Sequence, residues 1–238
     1  MIDDPYKLIF SINNIELFAN TKPKVVNTIK DVDIPTDYRI NHFLIKNNDD
    51  LEPSLSSITN PDVLKFIELC LTYVKDNQLP IQNRYWYLTI DQGLVDNHIK
   101  TLRLPGWHID GLQGSEVPVK KPGDFQFIWS NVLPTEFCTQ HFDVTGLDPL
   151  IHNVFNFLGK QVDPKNVYSF DDGDVVLMHC YHVHRAKELI GDVSVYRKFL
   201  RLSFTCTPIT STKMTVNDDI VYNYAIHTTT GNIPDNLL

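Results

Sequence analysis

From residue 84 onward the chain is written in short runs of aromatic and β-branched residues separated by turn residues. This is the feature that most narrows the folds open to it. Arg84-Tyr85-Trp86-Tyr87-Leu88-Thr89-Ile90 predicts a strand closed by Asp91-Gln92-Gly93. Further strands are predicted over 101–109, 124–132, 135–144, 166–170, 174–184 and 196–207. One helical insert interrupts them: Leu147, Leu150, Ile151, Val154, Phe155 and Leu158 recur at helical spacing, and Gly159 is placed as a C-cap. Many short strands with turns between them predict a sandwich or a closed barrel, and a jelly roll is one way to remove exposed sheet edges.

Upstream the texture is different. Residues 1–60 are mixed, with short apolar patches at Tyr6–Phe10 and Ile15–Phe18. The clearest helix spans 61–76. Asn60 is a good N-cap, Pro61 suits the first helical position, and Asp62 complements the positive helix end. Val63, Leu64, Ile67, Leu71 and Val74 form its apolar stripe. The expected organisation is a helical or mixed scaffold over 1–83 packed on a β core over 84–210, with a tail over 211–238, all in one structural domain.

Composition narrows the function classes. Hydrophobic residues make up 42% of the chain, enough for a sizeable core. The net charge is −8 and the Lys and Arg residues are scattered, which disfavours long nucleic acids as partners. Met1-Ile2-Asp3-Asp4 is unlike the start of a signal peptide, and no apolar run is long enough to span a membrane. Cys70, Cys138, Cys180 and Cys206 form no C-x-x-C pair and are expected to be buried, reduced thiols in a cytoplasmic protein.

Three segments carry the chemistry. In Trp107-His108-Ile109-Asp110, residues i and i+2 of a strand share a face, so His108 and Asp110 can reach one point. Two such groups are two thirds of the facial triad that holds Fe(II) with open positions. Gly173-Asp174 opens a strand on which Met178, Cys180, His182 and His184 would share the even face, with His179 on the other. On the third strand Arg197, Phe199, Arg201 and Ser203 share a face, and arginines there ask for an anionic partner if that face is buried.

The order of these segments resembles the Fe(II)/2-oxoglutarate oxygenase superfamily, most nearly its phytanoyl-CoA hydroxylase-like branch. The resemblance covers roughly residues 84–207. It implies a mainly β fold with flanking helices, a double-stranded β-helix of the jelly-roll, cupin-like kind. It implies a dioxygenase that hydroxylates a small-molecule or side-chain substrate, with Fe(II) as cofactor, 2-oxoglutarate as co-substrate and O2 consumed. His108, Asp110 and His184 would be the metal and catalytic residues, with His182 as the alternative distal ligand. Arg201 with Ser203 would bind the far carboxylate of 2-oxoglutarate, with Arg197 as helper or alternate. Asn131, Tyr87 and Thr89 could complete the pocket, and Trp107 either walls it or packs the core. The stretch Ser130–Phe137 departs from the branch's Asn-Gly-Pro-rich segment, so the substrate is not carried over.

A second H-x-D, His141-Phe142-Asp143, leaves too little chain before His184 for the intervening strands, turns and helical insert, so Asp143 is read as a strand-end or turn residue. Two other readings stay open: a non-catalytic metal- or ligand-binding β-helix protein, and another cupin-type metalloenzyme using an all-histidine set. Residues 112–123 are read as part of the site's entrance.

Overall fold

The computed structural model describes residues 11–36, 38–103, 105–110, 124–148, 151–209 and 214–224. Among these residues the chain is mainly β. The strands are β1 (Lys24–Thr28), β2 (Ile40–Lys46), β3 (Tyr85–Val95), β4 (Phe125–Ser130), β5 (Glu136–Cys138), β6 (Val167–Ser169), β7 (Asp174–His179), β8 (His184–Arg185) and β9 (Val195–Thr205). The α-helices are α1 (Pro61–Asp76) and α2 (Val154–Gly159). A six-stranded sheet has the order β1-β7-β4-β9-β3-β2, and a three-stranded sheet the order β6-β5-β8. All pairings within both are antiparallel.

Side-chain parity explains how the large sheet is covered. Trp86, Leu88 and Ile90 of β3, Phe125, Phe127 and Trp129 of β4, Val175 and Leu177 of β7, and Leu200, Leu202 and Phe204 of β9 belong to one apolar cluster. Helix α1 closes that cluster with Val63, Phe66, Ile67, Cys70 and Val74. Its start is fixed as the sequence requires: the Asn60 side chain accepts the Asp62 and Val63 N–H groups, each at 3.0 Å. Each large side chain buried there contributes about 1.5–3 kcal/mol relative to exposure.

The opposite parity faces the small sheet. Ile128, Val176, Met178 and Phe199 pack with Phe137, Tyr168 and Phe170 in a second cluster between the two sheets. β4 is therefore buried along its whole length. Gln126 and Arg201 lie on this inner face, and they are the polar residues that matter below. A third cluster joins Leu44, Tyr85 and Tyr87 to Ile209 and Ile220 of the C-terminal segment.

Several elements differ from the sequence reading. The segment 1–83 is more than a layer on the core: its β1 and β2 pair with β7 and β3 as the edges of the large sheet. β3 runs past Asp91-Gln92-Gly93 to Val95, because β9 pairs with it residue for residue and the buried Gln92 amide donates to the carbonyls of Tyr38 (2.8 Å) and Pro35. The strand predicted over 135–144 is reduced to β5, and the one over 174–184 breaks into β7 and β8. There the His182 N–H bonds back to the His179 carbonyl at 3.1 Å, so a turn replaces the continuous alternation. Among the described residues of 101–109 there is no strand, and His108 bridges to His184. Helix α2 starts late because Asn153 caps it, its side chain accepting the Asn156 N–H at 3.1 Å. Gly159 ends that helix and Lys160 is the cap. Residues 112–123 and 225–238 lie outside the described residues. Among those described, no helix is long and apolar enough to cross a membrane.

Gly173 marks a close backbone approach in this frame. It has φ +85°, and a Cβ there would stand 2.6 Å from the Ile29 carbonyl oxygen. Its own N–H donates to Ser130 O and its carbonyl accepts the Ile29 N–H, both at 2.8 Å. Gly173→Ala should lower stability by about 1–3 kcal/mol, read as a lower urea midpoint. An unchanged midpoint would mean that this turn relaxes without cost.

Candidate metal centre

Backbone hydrogen bonds bring the three ligand candidates together. His108 N–H donates to His184 O at 3.0 Å and His184 N–H to His108 O at 2.9 Å. Asp110 N–H donates to Cys180 O at 3.0 Å. These bonds tie the segment between β3 and β4 to the turn and strand that follow β7. As a result one ligand atom each from His108, Asp110 and His184 lie within 4.8 Å of one another. The imidazole centroids of His108 and His184 are 4.4 Å apart, and His184 Nε2 is 3.9 Å from Asp110 Oδ2.

The hydrogen bonds also orient each ligand. His108 Nδ1 lies 2.7 Å from Gly106 O, and His184 Nδ1 lies 2.9 Å from His182 O. A carbonyl only accepts, so each Nδ1 carries the proton and each Nε2 presents a lone pair. Burial, and then the nearby His184, pull the His108 pKa down to about 3, which keeps this ring neutral. Asp110 Oδ2 accepts a hydrogen bond from Gln126 Nε2. Ser203 Oγ in turn donates to Gln126 Oε1 at 3.3 Å, which fixes the amide with its nitrogen toward Asp110. The register makes this possible: Gln126 stands opposite Ser203 on β9 and Met178 on β7. Two imidazole nitrogens and a carboxylate, each held by a further hydrogen bond, fit a divalent first-row transition metal with open positions.

The centre lies in the wall of a cavity of about 550 Å3 between the sheets, within the usual range of about 300–1,000 Å3 for small-molecule sites. Its lining includes His108, Asp110, His184, Gln126, Ile128, Met178, Phe199 and four arginines, Arg103, Arg185, Arg197 and Arg201. Arg185 is paired with Glu136 at 2.7 Å and stacks over Trp107. Arg201 is 7% exposed and sits near Thr89 Oγ1 and His42 Nδ1, each 3.4 Å from Nη2. Burial lowers its pKa to about 10, so it stays charged at neutral pH.

The remaining sequence candidates are placed elsewhere. Asn131 is structural: its Oδ1 accepts the Lys198 N–H at 2.6 Å and its Nδ2 donates to Tyr196 O at 3.0 Å. Ser203 supports Gln126 and lines a smaller neighbouring cavity, not the main one. Tyr87 bonds to Tyr224 and to the Ile209 N–H. Trp107 packs with Ile15, Phe18 and Val154. His182 is outside the ligand group, its Nδ1 accepting the His179 N–H at 2.9 Å. His141 and Asp143 are exposed, and Asp143 Oδ1 accepts the Thr145 N–H at 2.9 Å.

Gln126 and His42 were missed by sequence reasoning. Nothing in Phe125-Gln126-Phe127 marks the amide as a partner of Asp110, because that depends on which strands flank β4. His42, with φ 49°, reaches the cavity from β2, a strand the sequence did not predict.

No protein-family model matches the chain, and no curated protein matches it. Among solved structures it is similar to the crystal structure of EvdMO1, at 13% identity and a TM-score of 0.32. The match covers 85% of this chain and 46% of that one, so the chain spans less than half of that neighbour.

Two outcomes follow. Gln126→Leu should weaken metal binding about 10–100-fold in equilibrium dialysis with an unchanged circular dichroism spectrum; undiminished affinity would leave Gln126 a packing residue. His108 and His182 are both pulled down to about 3, chiefly by burial, against about 6.5 in an unfolded chain. Between those values the unfolded chain binds more protons, so the metal-free protein should lose stability as pH falls through that window. The urea midpoint should be lower at about pH 5 than at about pH 7, and a flat profile would contradict neutral burial of these rings.

Proposed function

We propose that the protein is an Fe(II)- and 2-oxoglutarate-dependent oxygenase of the phytanoyl-CoA hydroxylase-like kind, hydroxylating a small molecule or a side chain. One observation carries the reading. His108, Asp110 and His184 converge within 4.8 Å in the wall of a cavity that also holds Arg197 and Arg201.

Strand order supports a double-stranded β-helix as the scaffold. β3, β9, β4 and β7 are consecutive in the large sheet, and β6, β5 and β8 with the His108 bridge make up the small one. From β3 onward the connections cross between the sheets except at β5 to β6, which suits a jelly roll. In this reading 84–210 is the catalytic core, 1–83 completes its large sheet, and 211–238 is a tail. The acidic balance favours a compact substrate over a long nucleic acid, and four free cysteines suit the cytoplasm.

Bound Fe(II), with 2-oxoglutarate and O2, would supply the oxidising power to turn a C–H bond into C–OH with release of succinate and CO2. The chain's own residues do the rest. His108 and His184 offer Nε2 because Gly106 and His182 carbonyls hold Nδ1. Gln126 keeps the Asp110 carboxylate turned toward the imidazoles. Arg201, beside Thr89, is positioned to receive the far carboxylate of 2-oxoglutarate through a charge-assisted pair. Ile128, Met178 and Phe199 form an apolar wall that limits water around the reacting groups. An all-histidine metal set is less well supported, because His182 is turned to the His179 backbone.

Succinate formation measured with Fe(II) and 2-oxoglutarate tests the reading. Asp110→Ala should abolish it while the fold persists. Arg201→Ala should raise the 2-oxoglutarate requirement about 10–100-fold. Wild-type succinate release from Asp110→Ala would end the proposal, and an unchanged requirement in Arg201→Ala would move the co-substrate's anchor elsewhere.

A further inference from the structure

The cavity carries more buried positive charge than one dicarboxylate needs. Arg197 is 2% exposed, lines the cavity, and has no carboxylate partner among the described residues. Its Nε donates to Leu133 O at 3.2 Å, which aims the guanidinium, while Nη1 is buried without a hydrogen-bond partner. A charged group left so is costly unless a ligand completes it. Arg103 lies close by. Both guanidiniums stand over the Phe199 ring, Arg197 at 4.9 Å and Arg103 at 5.5 Å from its centroid. Among the described residues Arg103 has only a loose carboxylate contact, 3.9 Å to Asp91. Two like charges on one phenyl ring repel each other, and an anion between them would reverse the sign of that interaction.

Arg201 cannot absorb this role. Both arginines interact with Arg103 and Asp91, but of the two only Arg201 also interacts with Asp110, a ligand candidate of the metal centre. On β9 the two arginines stand on either side of Phe199 on the same strand face. One strand thus presents two cationic positions, one toward the metal centre and one farther along.

We propose that Arg197, assisted by Arg103, forms a second oxyanion site that holds an anionic head group of the substrate, a carboxylate, phosphate or sulfate. The site takes the head while the rest of the molecule extends across Phe199 toward the metal centre. This deepens the oxygenase reading by naming the substrate class, and it rests on Arg201 being the co-substrate's anchor.

The test uses the full chain under anaerobic conditions with Fe(II) and saturating 2-oxoglutarate. Sodium sulfate and sodium propionate are titrated in by calorimetry. Either anion should bind alongside 2-oxoglutarate, about 10–100-fold more weakly to Arg197→Gln and undiminished to Arg201→Gln. Arg197→Lys, which keeps the charge but loses the fork, should fall between. Whichever anion binds wild type more tightly separates a carboxylate head group from a tetrahedral one, phosphate or sulfate. Binding that is equal in wild type, Arg197→Gln and Arg197→Lys overturns the site. Loss of 2-oxoglutarate binding in Arg197→Gln, with the added anions competing against it, overturns it too, because Arg197 would then be the co-substrate's anchor. If 2-oxoglutarate fails to bind any form while sulfate or propionate still depends on Arg197, the anion site stands and the oxygenase reading falls.

Discussion

The reciprocal hydrogen bonds between the backbones of His108 and His184 are the constraint on which the rest of the site depends. Neither residue lies in a long strand. His108 follows Pro105-Gly106 and His184 opens a two-residue strand. Without those two bonds the segment before β4 would have no fixed place relative to β8. With them, two imidazoles stand centroid to centroid at 4.4 Å, and the Asp110 bond to Cys180 brings the carboxylate to the same point. Each imidazole then needs only one acceptor to choose its tautomer, and a nearby carbonyl provides it in both cases.

The surrounding frame serves this geometry by dividing its residues cleanly. One face of the large sheet is spent on a dry layer with α1, and the other is kept for chemistry. That inner face can hold polar groups because they satisfy each other across strands: Ser203 orients Gln126, and Gln126 orients Asp110. The protein as a whole is acidic, at −8, yet its cavity gathers four arginines. Two of them, Arg185 and Arg103, have carboxylates within 4.0 Å. Arg197 and Arg201 have none among the described residues, and burial draws both pKa values down to about 10. Concentrating cations that lack a carboxylate partner in one cavity opposes folding and favours anions as ligands.

What could be read in the sequence was what local chemistry decides. The bounds of α1 were legible because a cap, a proline and an acidic residue stand in order before an apolar stripe. The His/Asp/His set was legible because the order of the three segments resembles that of a known superfamily; His108-Ile109-Asp110 alone is a weak signal. Strand lengths were not, since β3 runs on through Asp91-Gln92-Gly93 only because β9 and the Gln92 amide's partners lie beside it. The parity argument for His182 and His184 used a continuous strand that the 180–182 turn interrupts. Gln126 and the structural use of Asn131 and Ser203 depend on strand neighbours, which no local pattern encodes.

The most direct test of the centre is X-ray absorption on the protein loaded anaerobically with Fe(II). A facial triad requires one ion per chain, bound by two imidazole nitrogens and a carboxylate oxygen, with light-atom ligands filling the other positions and one imidazole lost in His184→Ala. Failure to retain the ion, or a coordination shell without imidazole that is the same in wild type and His184→Ala, would contradict a metal seat at these three side chains.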